Sequence, residues 1–535
     1  MIDRRFLLAA FAAAGTLPTL SAFGAEKAAP KAAPAGLRFG SPHAFSFEEL
    51  KAQAKKLAGR PYQPSEPPAK AIIEGVDFDK VQKIRFRPED ALWRGVAGTD
   101  PIAFFHLNKY SADPVTIFAL QPDVSGGQNA REILYSPDYF DYGASGLDPK
   151  PLAKLGFAGF RVMESQASPI DWLAFQGASY FRSSGQDGQY GASARGIAIN
   201  TALSTAEEFP RFTKFWLGQN GSAATVYALL EGPSVTGAYK FDCVKNAAAS
   251  SNSSGGGAVV MNVHCDIFFR ANITRLGIAP LTSMYWYGEN ERTKAADWRP
   301  EIHDNDGLAI WTGKGERIWR PLIDPPQLQT NSFADNNPKG FGLMQRDRDF
   351  ANYQDDGAFY DRRPGIWVEP RGNWGKGSVQ LVEIPTEDEI HDNIVAYWRP
   401  DEPVKSGDSL SFDYRLYWQD AEPNYPKNIA RAVATRIGRG GMPGQNPWPA
   451  NKRKFAIDWQ GGTLNELQQR YDLTPVINVS NGKAEGAYVI KVVGTDRWRS
   501  LFDITVDGKG PIDLRCYLKL GDKTLTETWI YQYFP

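Results

Sequence analysis

From about residue 70 to the C-terminus, short runs of alternating apolar and polar residues are broken by Gly, Pro, Asn and Asp. Such runs predict half-buried strands. Candidates include KVQKIRFR (80–87), ATVYALL (224–230), AYKFDCV (238–244), AVVMNVHCDIFF (258–269) and NIVAYWR (393–399). Helical windows are few, around 48–59, 206–217 and 463–471. The first has a start signal: Ser46 and Glu49 fit a capping box, and Leu50 and Leu57 fall on one face. Many strands with little helix predict an all-β chain built from sandwiches.

Two breaks organise this pattern. The Ser/Gly-rich stretch 246–257 separates two strand candidates and reads as a mobile loop. Glycines and prolines crowd 436–453, a linker signal. Beyond it come FAIDW, TPVINVS, AYVIKVV, SLFDITV, IDLRCYLKL and TETWIYQY, enough for a small immunoglobulin-like sandwich. The prediction is a large β-sandwich over 38–425, a linker over 426–453 and a small sandwich over 454–535. No internal repeat is visible.

The N-terminus reads as an address. Arg4 and Arg5 precede an apolar run from Phe6 to Leu17, with a cleavage site near Ala22-Phe23-Gly24. Residues 1–24 are thus predicted to be a signal peptide, and the paired arginines point to the twin-arginine route over an ordinary secretory signal. The Ala/Pro-rich 25–37 reads as a flexible leader. The run is too short for an ordinary membrane span, and no later segment is long enough, so a periplasmic protein with no stable membrane insertion is expected.

Charge narrows the partners. Sixty Lys and Arg balance 61 Asp and Glu, which argues against nucleic acid. The 15 Trp, 22 Tyr and 30 Phe suit sheet cores, and some suit sugar faces. Cys243, Cys265 and Cys516 are odd in number, so no complete disulfide framework is possible, and pairing of Cys243 with Cys265 stays open. His264 and Cys265 are adjacent, but nothing nearby completes a zinc set, and no metal or cofactor is expected.

Familiar catalytic motifs fail. Gly191-Ala-Ser193-Ala-Arg-Gly196 is one residue too long for a nucleophile elbow, and no P-loop or dinucleotide fingerprint occurs. Asp304-Asn-Asp306-Gly307 starts like a calcium loop but reads better as a turn. Acids do crowd beside aromatics in 282–292, 299–311, 335–377 and 382–398. Two carboxyl groups facing a sugar linkage can act as acid and base. Asp304 and Asp392 each follow a histidine in a polar loop, though each also suits a turn or cap. Glu301, Asp306, Asp355, Asp356, Glu369 and Glu389 compete on spacing alone.

LGFAGFRV (155–162), GASYFR (177–182), YGASARG (190–196), EEFPRF (207–212), LGIAP (276–280), DNNPKGFG, WVEPRGNWGKG, DNIVAYW and ETWIYQYF (527–534) occur in order. On them the chain, from about residue 38 to its end, resembles the periplasmic glucan biosynthesis proteins OpgG and OpgD (MdoG and MdoD). The twin-arginine signal leans to OpgD, whereas MYWYGENER with RPEIHDNDG looks more like OpgG. The resemblance implies a galactose-mutarotase-like sandwich with a glucan-binding cleft, followed by an immunoglobulin-like domain. It implies a β-1,2-linked glucan as partner and, from some members, an inverting endo-β-1,2-glucanase.

On the same resemblance, Asp392 of Asp-Asn-Ile matches the general acid and Asp304 of Ile-His-Asp the general base, acting through a relay in which Tyr360 has a place. A packed ring with a satisfied hydroxyl is the other reading of Tyr360. For substrate contacts the expected residues are Trp286, Tyr353, Trp367, Arg371 and Trp374. Three functions follow: an inverting glucanase, an inverting transglycosylase that could cyclise the chain, and a non-catalytic glucan-binding protein.

Overall fold

The computed structural model describes residues 36–65, 67–123, 126–247, 258–506 and 508–535. The expected signal segment 1–24 and nearly all of the expected leader lie outside the described residues, as does most of the 246–257 stretch. The regular structure is overwhelmingly strand, arranged in several sheets, so the chain is all-β. Its contacts divide it into two units built from interleaved segments.

The first unit comprises the described residues up to Ala247, those of 257–280, and Glu402–Leu416. The helix Phe47–Ala58 begins as its sequence predicts: Ser46 Oγ accepts from the Glu49 N–H at 3.2 Å and donates to its carboxylate at 3.1 Å. Leu50 and Ala54 bury its inner face against Phe118, Trp216, Leu229 and Ala238. Under it run Thr116–Pro122, Arg211–Asn220, Ala223–Glu231, Val235–Ala247 and Ala258–Phe269, paired in that order. A second sheet runs through Ile102–His106, Phe157–Met163, Asp171–Gln176, Tyr180–Ser183 and Ser193–Arg195. Phenylalanines close the space between them: Phe175 and Phe181 lie 5.1 and 5.0 Å from Phe241, and Phe160 lies 5.2 Å from Phe215.

Two local expectations are corrected here, and one open point is answered. The helical window 206–217 is instead the strand Arg211–Asn220, whose aromatic residues pair with Ala223–Glu231 across a tight turn. The predicted strand 80–87 is a short helix, Phe78–Val81, and a two-residue strand, Arg85–Phe86, because Asp77 caps the Lys80 N–H. Cys243 and Cys265 are not bonded: each is a buried free thiol, opposite Met261 and Tyr239 respectively.

The second unit comprises Leu281–Asp401 and Tyr417–Pro535. Gln329–Asn336, Lys376–Glu383 and Ile394–Pro400 form one antiparallel array. Arg317–Pro321, Gly307–Trp311, Gly340–Met344 and Gly365–Arg371 form another. Glycine is required at 340 and 342: a Cβ there would meet the Trp367 ring at 2.3 Å and the Ile366 carbonyl at 2.2 Å.

The last hundred residues form a two-sheet sandwich. Arg431–Arg439, Lys452–Gln460, Trp498–Thr505 and Lys483–Lys491 make one sheet. Leu473–Val479, Ile512–Leu520 and Thr528–Tyr533 make the other, and Phe455 packs between them on Trp529 at 6.1 Å and Phe502 at 5.4 Å. The stretch 426–453 is therefore not all linker. Ala432 and Ala434 bury one face of a strand within it, and only the glycines and prolines beyond that strand form a loop. Ile318 pairs in parallel with Thr528, so the small sandwich continues the sheet of the 281–401 segment. The window 463–471 holds only the end of a short 3-10 helix, Gly462–Glu466.

Candidate functional site

The site is organised around four residues of backbone, Thr282 to Tyr285. Tyr285–Tyr287 pairs with Ile302–His303, which places Asp304 just beyond the ribbon. The Asp304 N–H donates to the Met284 carbonyl at 2.8 Å, and Ser283 Oγ donates to Asn305 Oδ1 at 2.8 Å. From the other side, Thr282 Oγ1 donates to Asp392 Oδ2 at 3.3 Å. Asn393 Oδ1 accepts from the Tyr285 N–H at 2.8 Å and its Nδ2 donates to the Tyr285 carbonyl at 2.8 Å. Two Asp-Asn pairs that stand far apart in the chain thus grip one short segment, Asp304-Asn305 at its middle and Asp392-Asn393 at its two ends.

Asp304 is buried and pairs with Arg363. Arg363 also donates to the Ala358 carbonyl at 3.2 and 3.3 Å and lies 4.2 Å over the Tyr360 ring. The Tyr360 hydroxyl donates to Glu389 Oε2 at 2.5 Å. Burial, with Glu389 and Asp304 nearby, raises the Tyr360 pKa far above its ordinary value despite Arg363, so the hydroxyl keeps its proton. Glu389 is gripped by Arg299 through two bonds of 2.9 Å, and Arg299 also donates to Asp355 at 2.6 Å and Asp297 at 3.1 Å. Burial raises the Asp355 carboxyl, but the Ala358 and Gly357 N–H groups and Arg299 outweigh it and hold it below the usual range.

Behind this front lies a buried support. His303 presents Nε2 to Glu301 at 3.0 Å and Nδ1 to Gln345 Oε1 at 3.2 Å. Gln345 Nε2 donates to the Tyr353 hydroxyl at 2.9 Å and the Tyr360 carbonyl at 3.1 Å. Burial lowers the His303 pKa, but its bond and charge pairing with Glu301 dominate and raise it. A raised value means that its stabilisation is complete below the unfolded-state pKa of ~6.5 and is lost as pH rises through the folded value. Urea unfolding of the parent and His303→Gln between pH 6 and 9 should show the parent losing stability relative to the variant as pH rises. A constant difference would refute the charged imidazole.

The expected site residues divide. Tyr360, Tyr353 and Trp286 come together in one cluster; Asp304 reaches it through Met284 and Arg363, and Asp392 bonds to Thr282 close by. Trp286 is half-buried beside Tyr287, with ring centres 5.1 Å apart. Tyr353 is fully buried, so its ring is support for His303 and Gln345 and not an open platform. Trp367 is 1 % and Trp374 5 % exposed. The first packs on Gly340 and near Arg317, the second near Trp398 at 6.3 Å, so neither offers an open face to a sugar. Arg371 is exposed and pairs with Glu369 at 3.2 Å.

Sequence reasoning did not single out Arg299, Arg363, His303, Gln345 or Thr282. Arg363 stood three residues after Tyr360, and Arg299 between Trp298 and Pro300, but arginines are too common to be noticed without their partners. Among the described residues, no group of three or more His, Cys, Asp or Glu is placed to hold a metal ion, and no helix is long and apolar enough to cross a membrane.

The family model described as periplasmic glucan biosynthesis protein, MdoG, matches residues 45–533. The chain belongs to that family. It is 45 % identical to glucans biosynthesis protein D 2 of Ralstonia nicotianae, over all of this chain and 98 % of the relative. It is 47 % identical to glucans biosynthesis protein D of Stenotrophomonas maltophilia R551-3, over 98 % of this chain and 95 % of the relative. Identity with glucans biosynthesis protein D of Xanthomonas axonopodis pv. citri is 46 %, over 100 % and 98 %. The expected resemblance, with its lean to the D type, agrees with these relatives, and the chain has a role in periplasmic glucan biosynthesis.

Proposed function

We propose that the chain is an anomer-inverting endo-β-1,2-glucanase that cuts periplasmic glucan. The observation that carries this reading is the convergence of Asp304-Asn305 and Asp392-Asn393 on Thr282–Tyr285, which brings two aspartates from distant sequence to one place. In this reading Asp392, protonated, gives its proton to the glycosidic oxygen as the bond to the anomeric carbon breaks. Water attacks from the opposite face, and its proton passes toward Asp304 through hydroxyl groups, with Tyr360 and Glu389 beside that path. Trp286, half-buried at the edge of the cluster, is the ring placed to meet a glucose face. Arg371, exposed at the end of its strand, can bond sugar hydroxyls. The export signal over 1–24 and the leader over 25–37 send this activity to the periplasm.

The test is a product assay. The mature protein is incubated with linear β-1,2-glucan, and products are resolved by mass and by proton NMR of the new reducing end. Shorter linear glucans whose first-formed ends are α anomers are expected. Cyclic or lengthened products would replace hydrolysis by transglycosylation. Tight glucan binding with no product would overturn catalysis in favour of a carrier.

A further inference from the structure

The second unit carries another concave site with its own lining. A groove of about 940 Å³ is bounded by Asn290–Lys294, Ile323–Pro326, Ile437–Arg439, Trp448–Arg453 and Tyr531–Pro535. Asp304, Asp392, Tyr360 and Glu389 are not among its walls. A space of this size suits a ligand of several rings.

Charge sets this groove apart. Around it, cations are matched by acids: Arg436 with Asp458 at 3.0 Å, Lys454 with Asp503 at 2.6 Å, Lys452 with Glu485 at 2.5 Å and Lys294 with Glu291 at 2.7 Å. Arg439 and Arg453 break this pattern. They stand directly opposite each other on paired strands, an arrangement that like charges disfavour. Neither makes an ion pair among the described residues. Arg453 donates only to neutral groups, the Tyr533 hydroxyl at 2.8 Å and the carbonyls of Ala450 and Lys452 at 2.8 and 2.9 Å. Across the groove Arg292 is exposed and likewise makes no ion pair among the described residues. Three guanidinium groups without an ion-pair partner among the described residues therefore border the groove, while its two side-chain carboxylates are engaged elsewhere, Glu291 by Lys294 and the Asp324 N–H, and Asp324 by the Thr386 N–H.

Aromatic and apolar residues make up part of the remaining wall. Trp448 is 37 % exposed, and Tyr533, Phe534 and several prolines continue the surface. Guanidinium forks bind carboxylates and phosphates through paired bonds, and aromatic faces take the apolar faces of sugar rings. The combination is suited to a ligand that is both charged and ring-built.

We propose that this groove binds an anionic oligosaccharide, a glucan segment carrying acidic groups, with Arg292, Arg439 and Arg453 on the charges and Trp448 against a ring. The proposal rests on glucan as the substrate of the chain and adds a second site that distinguishes charged from neutral segments.

Isothermal titration tests it on the full mature chain, with carboxymethylated and neutral β-1,2-glucan of equal length, at low salt. The charged glucan should bind about tenfold more tightly, the effect of one good charge-assisted contact. Arg292→Ala with Arg439→Ala should remove that advantage while hydrolysis of neutral glucan stays unchanged. Trp448→Ala should weaken binding of the charged glucan severalfold, with circular dichroism confirming that each variant folds. Equal affinity for the two glucans in the parent, or an undiminished preference in the double variant, would overturn the proposal. So would full displacement of the charged glucan by inorganic phosphate at equal charge, which would mean a simple anion site. Absence of glucan hydrolysis in every sample would count against the proposed glucanase and leave this binding comparison intact.

Discussion

Asp392→Asn is expected to lower turnover of linear β-1,2-glucan by about 10³-fold, within the range for loss of a positioned acid. The substitution keeps the shape of the side chain and an oxygen that can accept from Thr282 Oγ1. It removes only the proton that the leaving oxygen needs. The loss should therefore fall on kcat, with KM and glucan binding little changed. Thermal unfolding should match the parent, because the neighbouring Asn393 still clamps Tyr285 from both backbone sides. Asp304→Asn should behave differently. It weakens the pairing of the buried residue 304 with Arg363 as well as removing a base, so stability should fall along with turnover. Retained activity in Asp392→Asn would sink the assignment of the acid.

Arg346→Met is expected to destabilise the chain by about 3–5 kcal/mol, because it removes the cation held between two buried carboxylates and leaves Glu422 only the more distant Arg431 at 4.0 Å. Arg346 lies between Glu422 and Glu527, with contacts of 2.6 and 2.5 Å, and donates to the Ala432 carbonyl at 2.8 Å. Its guanidinium lies 3.6 Å over the Trp319 ring. The three charged groups are nearly inaccessible to water. Glu527 also accepts from the Tyr425 hydroxyl at 2.9 Å and the Ala432 N–H at 2.8 Å. The cluster thereby ties the strand Arg431–Arg439 to the sheet that holds Gly340–Met344. Denaturant unfolding measures the loss. Replacing all three charges by apolar residues of similar volume should recover much of it, since a buried triad gains stability mainly by being complete. A loss below about 1 kcal/mol for Arg346→Met, the scale of an exposed pair, would show that the cluster is solvated.

Much of the architecture was legible because alternation reports burial directly. AVVMNVHCDIFF was expected as a strand, and Ala258–Phe269 is one over the same residues. The six strand candidates after residue 453 all lie on observed strands. Where periodicity misled, pairing was the stronger influence. RFTKFWLGQN has apolar residues at spacings that suit a helix, yet its hydrogen bonds go to Ala223–Glu231 and to Thr116–Pro122. The glycines near 440 marked a loop correctly, but the strand just before them was hidden, because small alanines carry its buried face.

The candidate site was legible in part. The motifs Ile-His-Asp and Asp-Asn-Ile drew attention to Asp304 and Asp392 on the strength of the family resemblance. Spacing could not say that Asn305 and Asn393 bond to adjacent residues of one segment. Nor could it choose Glu389 from the competing acids, since that choice lies in Tyr360 and Arg299, distant in sequence. The aromatic residues show the same limit. Trp286 and Trp367 are alike as letters, but only Trp286 is left half-open.

By itself the sequence determined the all-β class, the capped helix at Ser46, the strand-rich C-terminal sandwich and, through its motifs, the family. These follow from local periodicity, cap chemistry and ordered residue runs, none of which needs a distant partner. The tertiary structure alone decided how the segments interleave into two units and which arginines answer which acids. It also decided which rings are covered and which cations near Arg439 lack a carboxylate. Those properties depend on contacts between residues tens to hundreds of positions apart, and the energy of a charge or a ring is set by what surrounds it, not by its neighbours in the chain.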